Sequence, residues 1–203
     1  MEAIETATEE ELVIAIQKQT EPVADDAFGE LVRRFRDKVF GLCYSYLHNR
    51  STAEDVVQEV FIRAYRGLAK FESRCKFGTW LFRIATNACL NRIRDTKRRP
   101  GTLPVEETIL ADPRDDFVDP SAGRLHDELT QSLERAVASL PDRQQETFKL
   151  RYYGKLSVRD TAEVMGVEQG TVKAHYFAAL KSIGKVLEQE LGKEKIFYLL
   201  SET

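Results

Sequence analysis

The sequence predicts an all-α protein made of two small helical domains joined by a flexible acidic linker. Three observations carry this. Apolar residues recur at i, i+3/i+4 spacing through most of the chain, the period of a helix with one face on a core. Only 11 glycines and 6 prolines punctuate 203 residues. No stretch alternates apolar and polar residues as a half-buried strand would.

A short amphipathic helix is expected over residues 9–19, within an N-terminal segment, 1–23. A long helix follows over 24–48, with Phe28, Leu31, Val32, Phe35, Val39, Leu42, Cys43 and Tyr46 on one stripe. Asn49 stops it, and Ser51 or Thr52 is placed to cap the next helix. That helix runs to about Leu68, with Val56, Val57, Val60, Phe61, Ala64 and Tyr65 apolar. A loop from Lys70 to Lys76 leads into a third helix, Phe77 to about Lys97. This helix buries Phe77, Trp80, Leu81, Ile84 and Ala88. The first domain is therefore expected over 24–99.

The composition changes at Pro100-Gly101. Pro104, Pro113 and Pro120 follow, with Glu106, Glu107, Asp112, Asp115, Asp116 and Asp119 opposed by Arg114 alone. Residues 100–124 have the composition of a flexible acidic linker. Helical periodicity resumes near Leu125, with helices expected at 125–139, 142–153, 157–165 and 168–189. The second domain is placed at 125–190 and a C-terminal tail at 191–203, with an apolar cluster Ile196-Phe197-Tyr198-Leu199-Leu200.

Charge excludes some functions and localises others. The net charge is −3, so any nucleic-acid site must be a local patch. Such a patch lies between Lys70 and Arg99, where Lys70, Arg74, Lys76, Arg83, Arg92, Arg94, Lys97, Arg98 and Arg99 face only Glu72 and Asp95. Phe71 and Phe77 flank the loop ahead of it. Aromatics beside a basic groove hold unstacked single-stranded bases, and a loop pocket suits a flipped base. Three cysteines without a CxxC pair argue for a reducing compartment and against a zinc ribbon. No nucleophile–base set, metal cluster or glycine-rich phosphate loop is present, so the chain is not expected to be an enzyme or to need a cofactor. No apolar run approaches the roughly 20 residues that span a membrane. A signal-peptide pattern is also lacking, and a cytoplasmic location is expected.

Two stretches carry more specific information. Residues 156–181 have the pattern of a helix-turn-helix. Ser157 with Asp160 resembles a capping box, Ala162 is small at a helix crossing, Gly166 suits the sharp turn, and Val172 is apolar on the second helix. Gln169, Thr171, Lys173 and His175 then fall in the N-terminal half of the second helix, with Lys181 further on. In this geometry such residues reach base edges in the major groove; amides suit adenine, and lysine suits guanine or phosphate. Arg143, Arg151 and Arg159 lie around the motif as candidate phosphate contacts. Far upstream, Asp55, Gln58, Glu59 and Ile62 are spaced i, i+3, i+4, i+7 on the side of their helix away from Val57, Phe61 and Ala64. An acidic-amide stripe around an exposed isoleucine suits a basic partner helix rather than DNA.

Read together, AEDVVQEVF at 53–61, FGTWLFRIATN at 77–87 and LPDRQQETFKLRYYGKLSVRDTAEVMGVEQGTVKAH at 140–175 resemble an extracytoplasmic-function (ECF, group 4) sigma factor of the bacterial sigma-70 family. The resemblance covers about 24–99, similar to sigma region 2, and about 130–186, similar to region 4. It implies transcription initiation as the function. The implied partners are core RNA polymerase through its β′ clamp helices and β flap, promoter DNA, and an anti-sigma factor.

Residue roles follow from the same resemblance. Asp55, Gln58 and Glu59, with Ile62 beside them, would grip the clamp helices. Phe71 to Phe77, including Ser73 and Lys76, would capture a flipped non-template base of the −10 element. Arg83, Asn87, Asn91, Arg94 and Arg98 would lie along the melted −10 strand. Arg159 with Gln169, Thr171, Lys173, His175 and Lys181 would bind the duplex −35 element. The acidic linker would thread a polymerase groove built for a polyanion. The family often has arginine within the stretch that here is Ala174-His175-Tyr176-Phe177-Ala178. The rival reading is a stand-alone helix-turn-helix transcription regulator. It would require a sensory or dimerising first domain, and neither a phosphoacceptor nor a ligand-pocket pattern is present.

Overall fold

The computed structural model describes residues 2–18, 23–98 and 120–192. Within them run α1 Glu2–Glu5, α2 Glu9–Gln17, α3 Val23–Leu47, α4 Arg50–Leu68, α5 Phe77–Arg98, α6 Pro120–Ala138, α7 Asp142–Tyr152, α8 Val158–Met165 and α9 Gln169–Leu191. Among the described residues no strand occurs. Among those residues no helix is long and apolar enough to cross a membrane.

The chain packs as two compact units that are not its contiguous halves. The first unites α1–α5 with Lys149–Gln169, and the second holds α6, the first part of α7 and most of α9. The partition expected from composition, 24–99 and 125–190, is therefore not the packing partition. The apolar tail cluster and the acidic stretch through residue 119 lie outside the described residues. At the linker's far end α6 already begins at Pro120, five residues earlier than expected. Proline suits the first helical turn, where its missing N–H has no intrahelical partner to lose.

Local chemistry sets the helix starts. Thr8 and Glu11 form a reciprocal capping box on α2: Glu11 N–H donates to Thr8 Oγ1 at 3.2 Å and Thr8 N–H to Glu11 Oε2 at 2.7 Å. The cap of α4 is Asn49, not Ser51 or Thr52; its Oδ1 accepts from Thr52 N–H at 2.8 Å. Asn49 thus separates two helices and starts the second, because its extended backbone leaves the side chain free to satisfy an orphan donor.

In the first unit the expected stripes meet. Leu31, Val39, Leu42 and Cys43 of α3 are buried with Val56, Val60 and Ala64 of α4 and Leu81, Ala85 and Ala88 of α5, and Leu12 and Val13 of α2 close the cluster. Tyr65, expected on this stripe, is instead exposed. Gly67 is required where α4 meets Trp80, since a Cβ there would lie 2.9 Å from the indole Cζ2.

The segment Lys149–Gln169 adds a layer that periodicity on α5 does not announce. Phe82, on the face opposite Ile84, is only 1% exposed. Leu150, Leu156 and Met165 join the same core. Gly154 allows the close approach: a Cβ would meet the Leu150 carbonyl oxygen at 2.7 Å and Phe82 Cε1 at 3.2 Å. Arg151 donates through Nη1 to the Leu156 carbonyl. It is half-buried and serves this turn, so it is not the free phosphate contact that its position suggested.

In the second unit Ala136, Val137, Leu140, Phe148, Val172, Ala179 and Ile183 are buried. Phe148 stacks on Tyr176 with ring centroids 6.2 Å apart. Gln145 Nε2 donates to the Val137 carbonyl at 2.9 Å, and Arg135 reaches Glu190 at 2.7 Å.

Lys149 is the cost in this packing. It is 4% exposed, and its Nζ lies 4.1 Å from the centroid of the Tyr46 ring. Burial pushes its pKa down to about 8 from the ordinary 10.5. Burial, and then the Lys149 charge, also lower the pKa of His48. Because the folded pKa is depressed, the unfolded chain binds more protons between about pH 8 and 10.5. Stability contributed at this site therefore rises with pH across that window. We predict that Lys149→Met stabilises the protein at pH 7 by roughly 2–3 kcal/mol, and that the advantage shrinks towards pH 10. Urea midpoints of both proteins from pH 7 to 10 test this; a difference that stays constant with pH would rule out a buried cation as its origin.

Candidate functional site

Three surfaces carry the residues singled out by sequence. On α4, Asp55, Gln58, Glu59 and Ile62 are all exposed, and Ile62 is 51% accessible. Helical spacing of 3.6 residues puts them on one side while Val56, Val57, Val60 and Phe61 face the core. Asp55 has Arg92 at 3.8 Å, and Glu59 pairs with Arg63 one turn on. Such exposed pairs are worth little and exchange readily for a partner's cations. Beyond Ile62 the stripe continues into a shallow apolar groove lined by Phe28, Phe61, Ile62, Tyr65 and Arg66.

The second surface is the loop 69–76 with the outer side of α5. Arg83, Asn87, Asn91, Arg94 and Arg98 are all exposed, forming a basic and amide-rich stripe. In the loop Ser73 has φ +53°, a left-handed conformation uncommon for a residue with a side chain. Ser73 and Lys76 are exposed. Phe71 is half-buried, its ring 4.9 Å from Trp80 and 6.5 Å from Phe77. Phe77 itself is 2% exposed and packs edge-on against Phe35 at 5.5 Å. Its ring is therefore a wall of the core beneath the loop and is not open to a base. Trp80 is half-buried and supports Phe71 from the same side.

Part of this surface is already engaged within the first unit. Arg83 Nη2 donates to the Glu163 carbonyl at 2.7 Å. Lys76 Nζ lies 3.9 Å from Asp160 Oδ1, and Thr79 Oγ1 is 3.5 Å from the same oxygen. Helix α8 thus offers carbonyl and carboxylate oxygens to this face. Cys75 in the loop is half-buried, and burial pushes its thiol pKa up. A thiol held protonated is poorly reactive, so an incidental loop cysteine fits the geometry better than a redox sensor.

The third surface is the helix-turn-helix. Ser157 caps α8, its Oγ accepting from Asp160 N–H at 3.1 Å. Gly166 ends α8 at φ +66°, and Val167 N–H returns to the Ala162 carbonyl at 3.0 Å. A left-handed residue here is what terminates α8. On α9, Gln169, Lys173 and Lys181 are exposed and Thr171 is half-exposed. His175 points inward: it is half-buried, and its enclosed Nδ1 has no hydrogen-bond partner. Arg159 is exposed and pairs with Glu163 at 3.3 Å, and Arg143 pairs with Glu146 at 3.1 Å. Among the described residues no group of three or more His, Cys, Asp or Glu could hold a metal ion.

These surfaces coincide with known sequence families. Residues 31–99 match Sigma-70 region 2, and residues 130–183 match Sigma-70 region 4. The ECF RNA polymerase sigma factor SigW of Bacillus subtilis is 35% identical over 181 residues, 84% of this chain and 94% of the relative. The ECF RNA polymerase sigma-E factor of Escherichia coli is 34% identical over 185 residues, 88% and 94% of the two chains. The chain belongs to the ECF sigma factors.

Two solved structures share the fold. CnrH, solved with the cytosolic domain of CnrY, aligns at a TM-score of 0.65 and 22% identity over 90% of this chain and 98% of the other. The sigma factor RpoE of Bartonella quintana, solved with the anti-sigma factor NepR, aligns at 0.62 and 21% over 79% and 96%. As a sigma factor the protein binds core RNA polymerase, recognises the −35 and −10 promoter elements and promotes melting and initiation. Sigma factors are not enzymes in themselves. Regions 2 and 4, present in order, do not favour the stand-alone regulator.

Sequence reasoning missed the supports of this sigma factor's loop, which lie ahead of the region 2 match. Gln17 at the end of α2 donates through Nε2 to the carbonyls of Leu68 at 3.0 Å and Phe71 at 2.7 Å. Glu9 Oε2 accepts from Gly78 N–H at 3.4 Å at the start of α5. A polar residue on a short helix gives no such signal until the fold brings the loop to it. We predict that Gln17→Ala costs about 1–2 kcal/mol of stability through the lost bonds. It is also expected to slow promoter opening, read by permanganate reactivity of −10 thymines, while leaving duplex −35 affinity unchanged.

Proposed function

We propose that the three surfaces divide the work of initiation among themselves. Asp55, Gln58, Glu59 and Ile62 form the contact with the β′ clamp helices. The loop from Phe71 to Lys76, with Ser73 at its tip, captures a flipped non-template base of the −10 element. Arg83, Asn87, Asn91, Arg94 and Arg98 track the melted strand. Gln169, Thr171, Lys173, Lys181 and Arg159 hold the duplex −35 element, and the β flap meets the second unit. Phe77 contributes by supporting the loop, and His175 by packing.

The observation that carries this reading is the exposure of every member of the Asp55 stripe on a helix whose other side is core. The carboxylates around Ile62 make only solvent-exposed pairs, with Arg92 and Arg63, which a basic, amide-bearing partner helix can replace. The basic face of α5 then supplies the opposite polarity for DNA.

An anti-sigma factor is a further partner in this proposal. The solved relatives include a sigma factor bound to one. The α4 stripe with its apolar groove offers such a protein a way to compete with core polymerase. The site of action is the cytoplasm, where RNA polymerase works.

Run-off transcription with purified core polymerase tests the α4 contact. Asp55→Ala/Glu59→Ala is expected to reduce start-site-specific transcripts at least tenfold, equivalent to about 1.4 kcal/mol of lost binding. Undiminished transcription by the double variant would place the core contact elsewhere. At the other end, Gln169→Ala and Lys173→Ala are each expected to weaken −35 binding by about 1–3 kcal/mol, with the loss dependent on base sequence for a residue that reads bases. Competition with shuffled −35 duplexes makes that distinction.

A further inference from the structure

We infer that the C-terminal half of α9 carries a docking seam for the chain's own tail, the apolar cluster at 196–200. The seam lies outside the contacts assigned to core polymerase and promoter DNA, so the inference does not rest on them.

Phe177, Leu180, Gly184, Leu187 and Leu191 follow one another at alternating steps of three and four residues. That spacing draws one line along a helix, the kind of seam by which a helix receives an apolar partner. Phe177 is 71% exposed and Leu180 45%, while Gly184, Leu187 and Leu191 are half-exposed. The core lies on a different side of α9, where Val172, Ala179 and Ile183 are buried. None of the five seam residues carries a charge. At Gly184 an added Cβ would meet nothing within 4 Å, so the middle of the seam is open. Removing such a row from water is favourable in proportion to the apolar area covered.

Chain connectivity selects the occupant. The region 4 match ends at residue 183, so the C-terminal part of the seam and all that follows it lie outside the shared motif. Helix α9 closes at Gly192, whose φ is +77° and whose N–H donates to the Glu188 carbonyl at 3.1 Å. A left-handed residue at this point takes the chain off the helix axis. Shortly afterwards stand five uncharged side chains in succession, Ile196 to Leu200. Phe177 lies about 21 Å before Leu191 along the helix, and the stretch from Gly192 to Leu200 extends up to about 27 Å, so the cluster reaches the whole seam. A segment tethered this closely acts at an effective concentration on the order of millimolar, which favours it over a second copy of the chain. The seam begins one turn beyond Lys173, so the docked tail leaves Gln169, Thr171 and Lys173 open. In the free chain the tail thus withholds the distal side of α9 from other apolar helices.

The test is nuclear magnetic resonance of the full chain, free of polymerase, with labelled isoleucine and leucine methyl groups. Nuclear Overhauser contacts are expected between the Phe177 ring and methyl groups of Ile196, Leu199 or Leu200, and they are expected to survive tenfold dilution. Gly184→Asp places a carboxylate in the middle of the seam without touching a neighbour. In that variant the contacts are expected to vanish and the tail amides to move to random-coil shifts, while the buried Val172 and Ile183 methyl groups keep their positions and show the unit still folded. Gly184→Ala, which adds only a methyl group, is expected to retain the contacts. Random-coil tail shifts in the wild type overturn the inference. Contacts that persist in Gly184→Asp overturn it too, because the tail would then lie elsewhere. Contacts that disappear on dilution assign the seam to a second copy of the chain and overturn the tail as its occupant.

Discussion

Burial of α5 on two of its sides is the constraint on which the rest of the first unit depends. Leu81, Ala85 and Ala88 face α3 and α4, while Phe82 is enclosed where Gly154 and Leu150 approach. Through Cys89 this enclosure leaves α5 only a narrow outer strip for solvent, with Arg83 and Asn87 on it, and the exposed second half of the helix continues the same line. That line carries Arg83, Asn87, Asn91, Arg94 and Arg98. The apolar packing thus aims the cations: with the helix rotation set by buried residues on both flanks, the polar stripe has one direction available. The same packing encloses Lys149, an expense that a purely structural segment would avoid with an apolar side chain.

Charge is distributed by surface and not by domain. The chain is slightly acidic as a whole, yet α5 and α9 present cations and α4 presents carboxylates. This separation suits a protein that must meet a basic protein helix with one face and a polyanion with others. The internal contacts of Lys76, Thr79 and Arg83 with α8 show the same chemistry within the molecule. Oxygen atoms of Asp160 and Glu163 occupy positions that phosphate oxygens would also satisfy. Of these, the Lys76 and Arg83 side chains are exposed, and such contacts contribute little to stability and are exchanged at low cost.

The loop between α4 and α5 is built from beneath. Phe77 and Trp80 form an aromatic floor under Phe71, and Gln17 ties the loop's first carbonyls to α2. A left-handed Ser73 then projects the tip outward. On the proposed reading, in which the loop receives an unstacked base, support from beneath lowers the conformational entropy that ordering it on binding would cost.

By itself the sequence determined the class of fold, the position of most helices, the helix-turn-helix turn and the functional family. These are local properties: apolar spacing of 3.6 residues, a serine cap, a glycine in a left-handed turn, and motif order along the chain. Exposure of the Asp55 stripe was legible for the same reason, since a helix with one apolar side must turn the other to solvent. Tertiary structure alone decided what depends on residues distant in sequence. It placed Lys149–Gln169 with the first unit, buried Phe82 and Lys149, tied Gln17 to the loop, and half-buried His175. It also left Phe177 exposed on α9. Such outcomes follow from which surfaces meet, and a linear pattern records only that a surface is apolar, not what covers it.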